Sequence, residues 1–211
     1  MRGMDVAPAP TNRAERTRLA LLEAGLALLV ERPIDAIPID DIVAAAGVAK
    51  GSFFNHFSDK QQFGAAVASF VRQGLEARID AANAGISDPV ERLAGGMRVA
   101  AAFALAERGR TIVMLRGLPG VTAADNPLNK GVGADLAAVA AAGHLRPEAV
   151  SAGVLYWLGL CQALVINIIE EQLDRAAAAA RLRAMAVLGL TGLGVAPERA
   201  AGVADTVAAA L

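Results

Sequence analysis

"GVAKGSFFNHFSDK", from Gly47 to Lys60, gathers three of the chain's six phenylalanines and one of its two histidines beside a Gly-Ser pair. Only 4% of the 211 residues are aromatic, so crowding of this kind calls for a physical reason. A run from Ile39 to Ala46 precedes it and stops at Gly47, a natural left-handed helix cap. A short helix then carries Lys50 to Phe57. Two short helices joined by a tight glycine turn form a helix-turn-helix unit, whose second helix can enter a major groove. On that second helix Phe53 and Phe57 lie four residues apart and share a face, which packs against the first helix. Phe54, Asn55 and Lys50 must then point elsewhere, and an exposed Phe beside Asn and Lys calls for a partner.

Two lysines extend this reading. Lys50 and Lys60 both fall in the first turn of an expected helix, where the macrodipole disfavours cations. A helix N-terminus favours an anion through its free N–H groups, so a phosphate at each site would reconcile the two. The short helix between these clamps would read bases. Gly51 leaves room for close backbone approach, and Ser52 offers a small hydroxyl. Taken one at a time, either lysine can equally be a solvated surface cation.

Outward from this unit the chain reads as helix throughout. Asn12 with Glu15 forms a capping box that opens an apolar stripe of Leu19, Leu22, Leu26 and Leu29, and Pro33 ends that helix. Ser58 with Gln61 reads as a second box, before a long helix lined by Phe63, Val67, Phe70 and Val71 that runs to about Ala84. Asp88 and Pro89 open a second set. Its helices are expected over Pro89–Arg108, Arg110–Leu118, Pro127–Ala142, Pro147–Glu171, Asp174–Leu193 and Pro197–Leu211, punctuated at Pro119-Gly120 and Gly143-His144. The fold class is therefore all-α. Residues 1–12 form a flexible Ala/Pro arm, 13–84 a small helical module with its linking helix, and 85–211 a larger bundle.

Composition agrees and narrows the function. The chain is 55% hydrophobic and 19% charged, with a formal net charge of −1, so attraction to nucleic acid must come from a local patch. One cysteine, Cys161, excludes an intrachain disulfide and fits a reducing cytoplasm. The uncharged run from Ala149 to Ile169 has membrane length, yet Ser151, Gln162 and Asn167 interrupt it and no basic cluster flanks it. A helix buried in protein is the expectation, with no membrane partner. Neither His56 nor His144 stands in a metal-ligand spacing, and with Cys161 they make no credible nucleophile pair. Neither catalysis nor a cofactor is expected. Met97, Phe103, Met114, Tyr156, Trp157, Cys161 and Asn167 instead supply a mainly apolar pocket with few polar anchors, although each can also be core or dimer contact.

"IDDIVAAAGVAKGSFFNHFSDKQQF", Ile39 to Phe63, closely resembles the helix-turn-helix signature of TetR-family transcriptional regulators, and the likeness extends over Arg13–Ala77. The resemblance implies a three-helix DNA-binding module joined to a ligand-binding and dimerisation bundle. It also implies a recognition helix bearing Lys50, Gly51, Ser52, Phe54, Asn55 and His56, with Lys60 on phosphate at the start of the fourth helix. Its partners would be a double-stranded operator, a small mainly apolar effector and a second copy of the chain, most often in a repressor. Three positions depart from the pattern. Pro38 replaces a hydroxyl cap, as does Ala49, and Phe54 lacks the phenolic hydroxyl of the usual Tyr. A helical carrier or enzyme that keeps the fold, or a DNA-binding protein without an inducer, are the alternatives.

Overall fold

The computed structural model describes residues 12–117, 126–143 and 145–211. The expected N-terminal arm, the Pro119-Gly120 break and His144 lie outside the described residues, apart from Asn12. Among the described residues there are ten α-helices and no strand, so the all-α expectation holds. They are α1 (Arg13–Glu31), α2 (Ile39–Ala45), α3 (Lys50–Phe54), α4 (Lys60–Asn83), α5 (Pro89–Ala106), α6 (Arg108–Gly117), α7 (Lys130–Ala141), α8 (Pro147–Glu170), α9 (Arg175–Leu193) and α10 (Pro197–Ala209).

Local chemistry sets most of the boundaries. The amide of Glu15 donates to Asn12 Oδ1 at 2.9 Å and the amide of Asn12 to Glu15 Oε2 at 3.3 Å, completing the capping box. Pro33 prevents continuation past α1, and a single 3-10 turn, Ile34–Ala36, fills the space before α2. Gly47 adopts φ +65°, and the Val48 amide reaches back to Val43 O at 3.0 Å to close α2. Asp88 caps α5 by accepting from the Val90 amide, with Pro89 at the first helical position.

Two expected boundaries need correction. The cap of α4 is Asp59 rather than Ser58. The Gln62 amide donates to Asp59 Oδ1 at 2.8 Å, while the Ser58 amide donates to Gln62 Oε1 at 2.6 Å. The cap is shifted by one residue and no reciprocal box closes on it, since the Gln62 side chain takes the amide before the cap; Asp59 sits in the extended conformation a cap requires. The second correction shortens α3, which ends at Phe54 rather than Phe57. Its last turn tightens as the His56 amide bonds Phe53 O at 3.0 Å.

Three rings anchor α3. Phe53, Phe57 and Phe63 are buried, with ring centroids 5.0 to 5.5 Å apart. Behind them α1, α2 and the first half of α4 complete a small head. The body is built around α5, which touches α4, α6, α7, α8, α9 and α10. α6 lies between the two, against both α1 and α4. A Cβ at Gly117 would stand 2.6 Å from Ala68 Cβ, and one at Gly109 would stand 2.7 Å from Val30 Cγ1. The head and α6 are therefore in van der Waals contact with no side chain to spare.

The same steric reading gives a matched pair of variants. At Gly25 a Cβ would collide with the buried Phe63 ring, so Gly25→Ala should cost about 1–3 kcal/mol in urea unfolding. Gly74, inside α4, has open space around it. Gly74→Ala should stabilise by about 0.5–1 kcal/mol through helix propensity alone.

Candidate functional site

The outer face of α3 is polar and accessible. Gly51, Phe54 and Asn55 are exposed, Ser52 and His56 are half-buried, and Phe54 shows 53% of its surface. Phe54 stays there because Phe53 takes the core position and meets it edge-on at 5.4 Å. Lys50 Nζ lies 2.8 Å from Asp40 Oδ1, a pair exposed on both sides. Such a pair contributes little to stability, so its lysine can exchange one anion for another. Asp41, its neighbour in the first turn of α2, pairs with Arg32 at 3.1 Å. Asp40 and Asp41, both in the first turn of α2, thus each hold a cation.

Lys60 has a different setting from the one expected. Its ammonium donates to the carbonyls of Ile34, Asp35 and Ile37 at 3.3, 3.1 and 3.2 Å. Its three donors are thus spent on carbonyls in and just after the 3-10 turn, of which Ile34 O also accepts from the Ile37 amide. A phosphate would have to draw the group away from these carbonyls. Sequence reasoning missed Arg13, Arg16 and Arg18 on α1, all exposed. The Arg18 guanidinium stands 5.6 Å from the centre of the Phe57 ring, which brings a positive charge to the end of the recognition segment.

The body holds a second site. Two adjoining lobes of about 530 and 580 Å³, counting the open space at their mouths, lie among α4, α5 and α8, the first closed by α6 and the second by α7. Of the expected pocket residues, Met114 lines the first lobe, Met97 and Trp157 the second, and Cys161 both. Burial pushes the Cys161 thiol up to about 12, so it is a small neutral wall rather than a nucleophile. Phe103, Tyr156 and Asn167 line neither lobe. Phe103 packs in the core beneath Arg78, 5.1 Å from the ring centre. Tyr156 lies on the outer side of α8 and donates to Leu188 O at 3.1 Å. Asn167 sits in the last turns of α8 with its carbonyl oxygen unpartnered among the described residues.

Arg72 and Glu76 of α4 were not anticipated, although they line this cavity. They lie one turn apart and within 2.6 Å of each other. Spacing carried the signal, because Arg72 and Glu76 share the helical stripe of Ala68, Leu75 and Ile79. Burial pushes the Glu76 carboxyl above its ordinary value, Arg72 opposes this, and Asp80 adds to the rise.

A short helix fixed by buried rings and set after α2 across a glycine turn defines a helix-turn-helix protein, with a cavity in its helical body. Residues 21–67 match the family described as bacterial regulatory proteins, tetR family. The match takes in α2, α3 and parts of α1 and α4, so it is this segment that resembles the family. The chain is 39% identical over 77 residues to the HTH-type transcriptional repressor DhaR of Mycobacterium sp. (strain GP1), which covers 36% of this chain and 39% of that one. It therefore spans about two fifths of the length of that curated relative. The fold extends further. A putative tetR family transcription regulator from Shewanella sp. PV-4 superposes with a TM-score of 0.70 at 18% identity, over 85% of this chain and 99% of that one. RolR, solved with resorcinol, gives a TM-score of 0.62 at 22% identity, over 91% and 94%.

The carbonyl cradle around Lys60 makes a prediction independent of any partner. Lys60→Met keeps the aliphatic stem but removes three charge-assisted bonds, and should lower the unfolding free energy by about 1–3 kcal/mol. Thermal unfolding of the protein alone measures this, and an unchanged Tm would mean that the three bonds contribute nothing net.

Proposed function

We propose that the chain is a DNA-binding transcriptional regulator, a repressor that works as a homodimer on a roughly palindromic operator in the cytoplasm. The observation that carries this reading is the outer face of α3. Lys50, Phe54 and Asn55 stand exposed on a helix whose opposite side is locked by Phe53, inside the segment that matches the family. Asn55 is a base-reading candidate, since its amide can pair with an adenine edge, and Phe54 can touch a thymine methyl. Lys50 gives up Asp40 for phosphate, with Arg18 and its neighbours on α1 adding charge.

Self-association is supported by α8 and α9. Both are long and apolar enough to cross a membrane by length and composition, with mean hydropathy 1.8 and 1.3 over the best window. Only 33% of either window is buried within one chain. Val150, Leu155 and Leu188 are 72%, 59% and 62% exposed. A second copy of the same surface covers these residues and brings two recognition helices into the paired arrangement that two-fold sites need.

The cavity supports control by a small effector. Met114 and Leu115 of α6 line it, while the same helix packs on α1 and α4. An effector that binds better to the arrangement with misplaced recognition helices weakens DNA binding. A coupling of about 1–3 kcal/mol corresponds to five- to 150-fold.

Two measurements test this. In fluorescence anisotropy with operator fragments, Lys50→Ala should weaken binding about equally across sequences and lower the salt slope by about one unit. Asn55→Ala should change which sequence is preferred. A wild-type chain that shows no salt-dependent binding to fragments from its own genomic neighbourhood overturns the regulator reading. Sedimentation should find a dimer that Leu188→Glu converts to monomer, with weaker operator binding as a consequence.

A further inference from the structure

The cavity's polar end carries chemistry that a purely apolar pocket does not explain. Arg72 and Glu76 pair at 2.6 Å with side chains only 13% and 18% exposed. Arg72 lines both lobes and Glu76 the second. Yet Arg72 Nε is buried without a hydrogen-bond partner among the described residues, and Glu76 Oε1 is met only by the ion pair with Arg72. A buried donor left unmet carries its desolvation cost, and a carboxylate oxygen with one partner can still accept a second hydrogen bond. Away from this end the first lobe is mainly apolar, walled by Leu75, Met114, Leu158 and Val165, with Gln162 as a further polar neighbour.

Charge decides which ligand group suits the pair. The second lobe is bordered by Arg72 and Arg92 against Glu76, Asp80 and Asp135, two cations to three carboxylates. Asp135 already holds Arg92 through a short ion pair. An anionic ligand would face surplus negative charge and compete with Glu76 for one guanidinium. An ammonium would suit the carboxylates but leave the Arg72 donor unmet. A hydroxyl both accepts and donates, and it adds no charge.

We propose that the cavity selects a compact apolar molecule carrying an uncharged hydroxyl, which accepts from Arg72 and donates to Glu76. The proposal rests on the effector-responsive reading above. The apolar body fills the lobe beneath α6, and the hydroxyl completes the α4 pair. An effector seated this way touches α4 and α6 together.

Three probes of one shape test it on the full chain: phenol, toluene and benzoate, followed by calorimetry and thermal shift. Phenol should bind roughly ten- to a hundredfold more tightly than toluene, because hydrogen bonds to charged groups are the stronger kind. Benzoate should bind most weakly. The double variant Arg72→Met, Glu76→Met replaces the pair with apolar side chains of similar length, a change that helical cores commonly tolerate. It should keep toluene binding and lose the preference for phenol. Glu76→Gln provides a milder check, since removing one negative charge should raise benzoate affinity about tenfold. The proposal is overturned by benzoate binding tightest, by equal phenol and toluene affinity, by a preference that survives the double variant, or by unchanged benzoate affinity in Glu76→Gln. Failure of all three probes to bind overturns it as well. Operator binding measured on the same preparation separates that result from a failure of the regulator reading.

Discussion

Everything in the head depends on the Phe63 ring. It stands where α1, α3 and α4 meet, with Gly25 beneath it and Phe53 and Phe57 on its flank. A helix of five residues, as α3 is, has no stability of its own, because nucleation costs more than one turn returns. α3 exists because its apolar side is clamped by a ring from the next helix. That clamp also decides which residues face outward, since burying Phe53 leaves Phe54 and Asn55 exposed.

The same helix that supplies Phe63 also supplies Arg72 and Glu76. α4 has 24 residues and so spans about 36 Å. Its first turns belong to the head, and its middle turns wall the cavity. A buried ion pair is a poor source of stability, since desolvation of both partners offsets most of their attraction. Its position in a continuous helix therefore fits a recognition element better than a structural brace. The packing agrees, because Gly117 and Ala68 hold α6 against α4 too closely for either to move alone.

Much of this could be read from the sequence where the controlling interaction is local. The Asn12–Glu15 box, the Gly47 cap and the Asp88-Pro89 start each involve residues within a turn of one another, and each formed as read. Register within one residue was harder, because Ser58 and Asp59 can both cap and only the backbone conformation chooses. The carbonyl partners of Lys60 could not be read, since they lie 23 to 26 residues away in and just after a 3-10 turn without any periodic signature. The pocket list was mixed for a related reason. Apolar spacing shows that Tyr156 and Trp157 are on α8, but not which of the two faces the cavity. Arg72 and Glu76 were visible as an opposite-charge pair within an apolar stripe, and were passed over because such pairs ordinarily lie on the wet side of a helix.

The Lys60 cradle has a mechanical consequence. A lysine in the first turn of α4 grips the segment that follows α1, and Gln61 Nε2 donates to Asp35 Oδ1 at 3.0 Å beside it. With Phe63 wedged one turn further along, the start of α4 is tied to α1, to α3 and to the connection between α1 and α2. No joint remains inside the head, so a tilt of α4 cannot be absorbed there and must carry the recognition helix as a rigid load. In the proposed dimer, such motion would change the separation between the heads while leaving the shape of each intact.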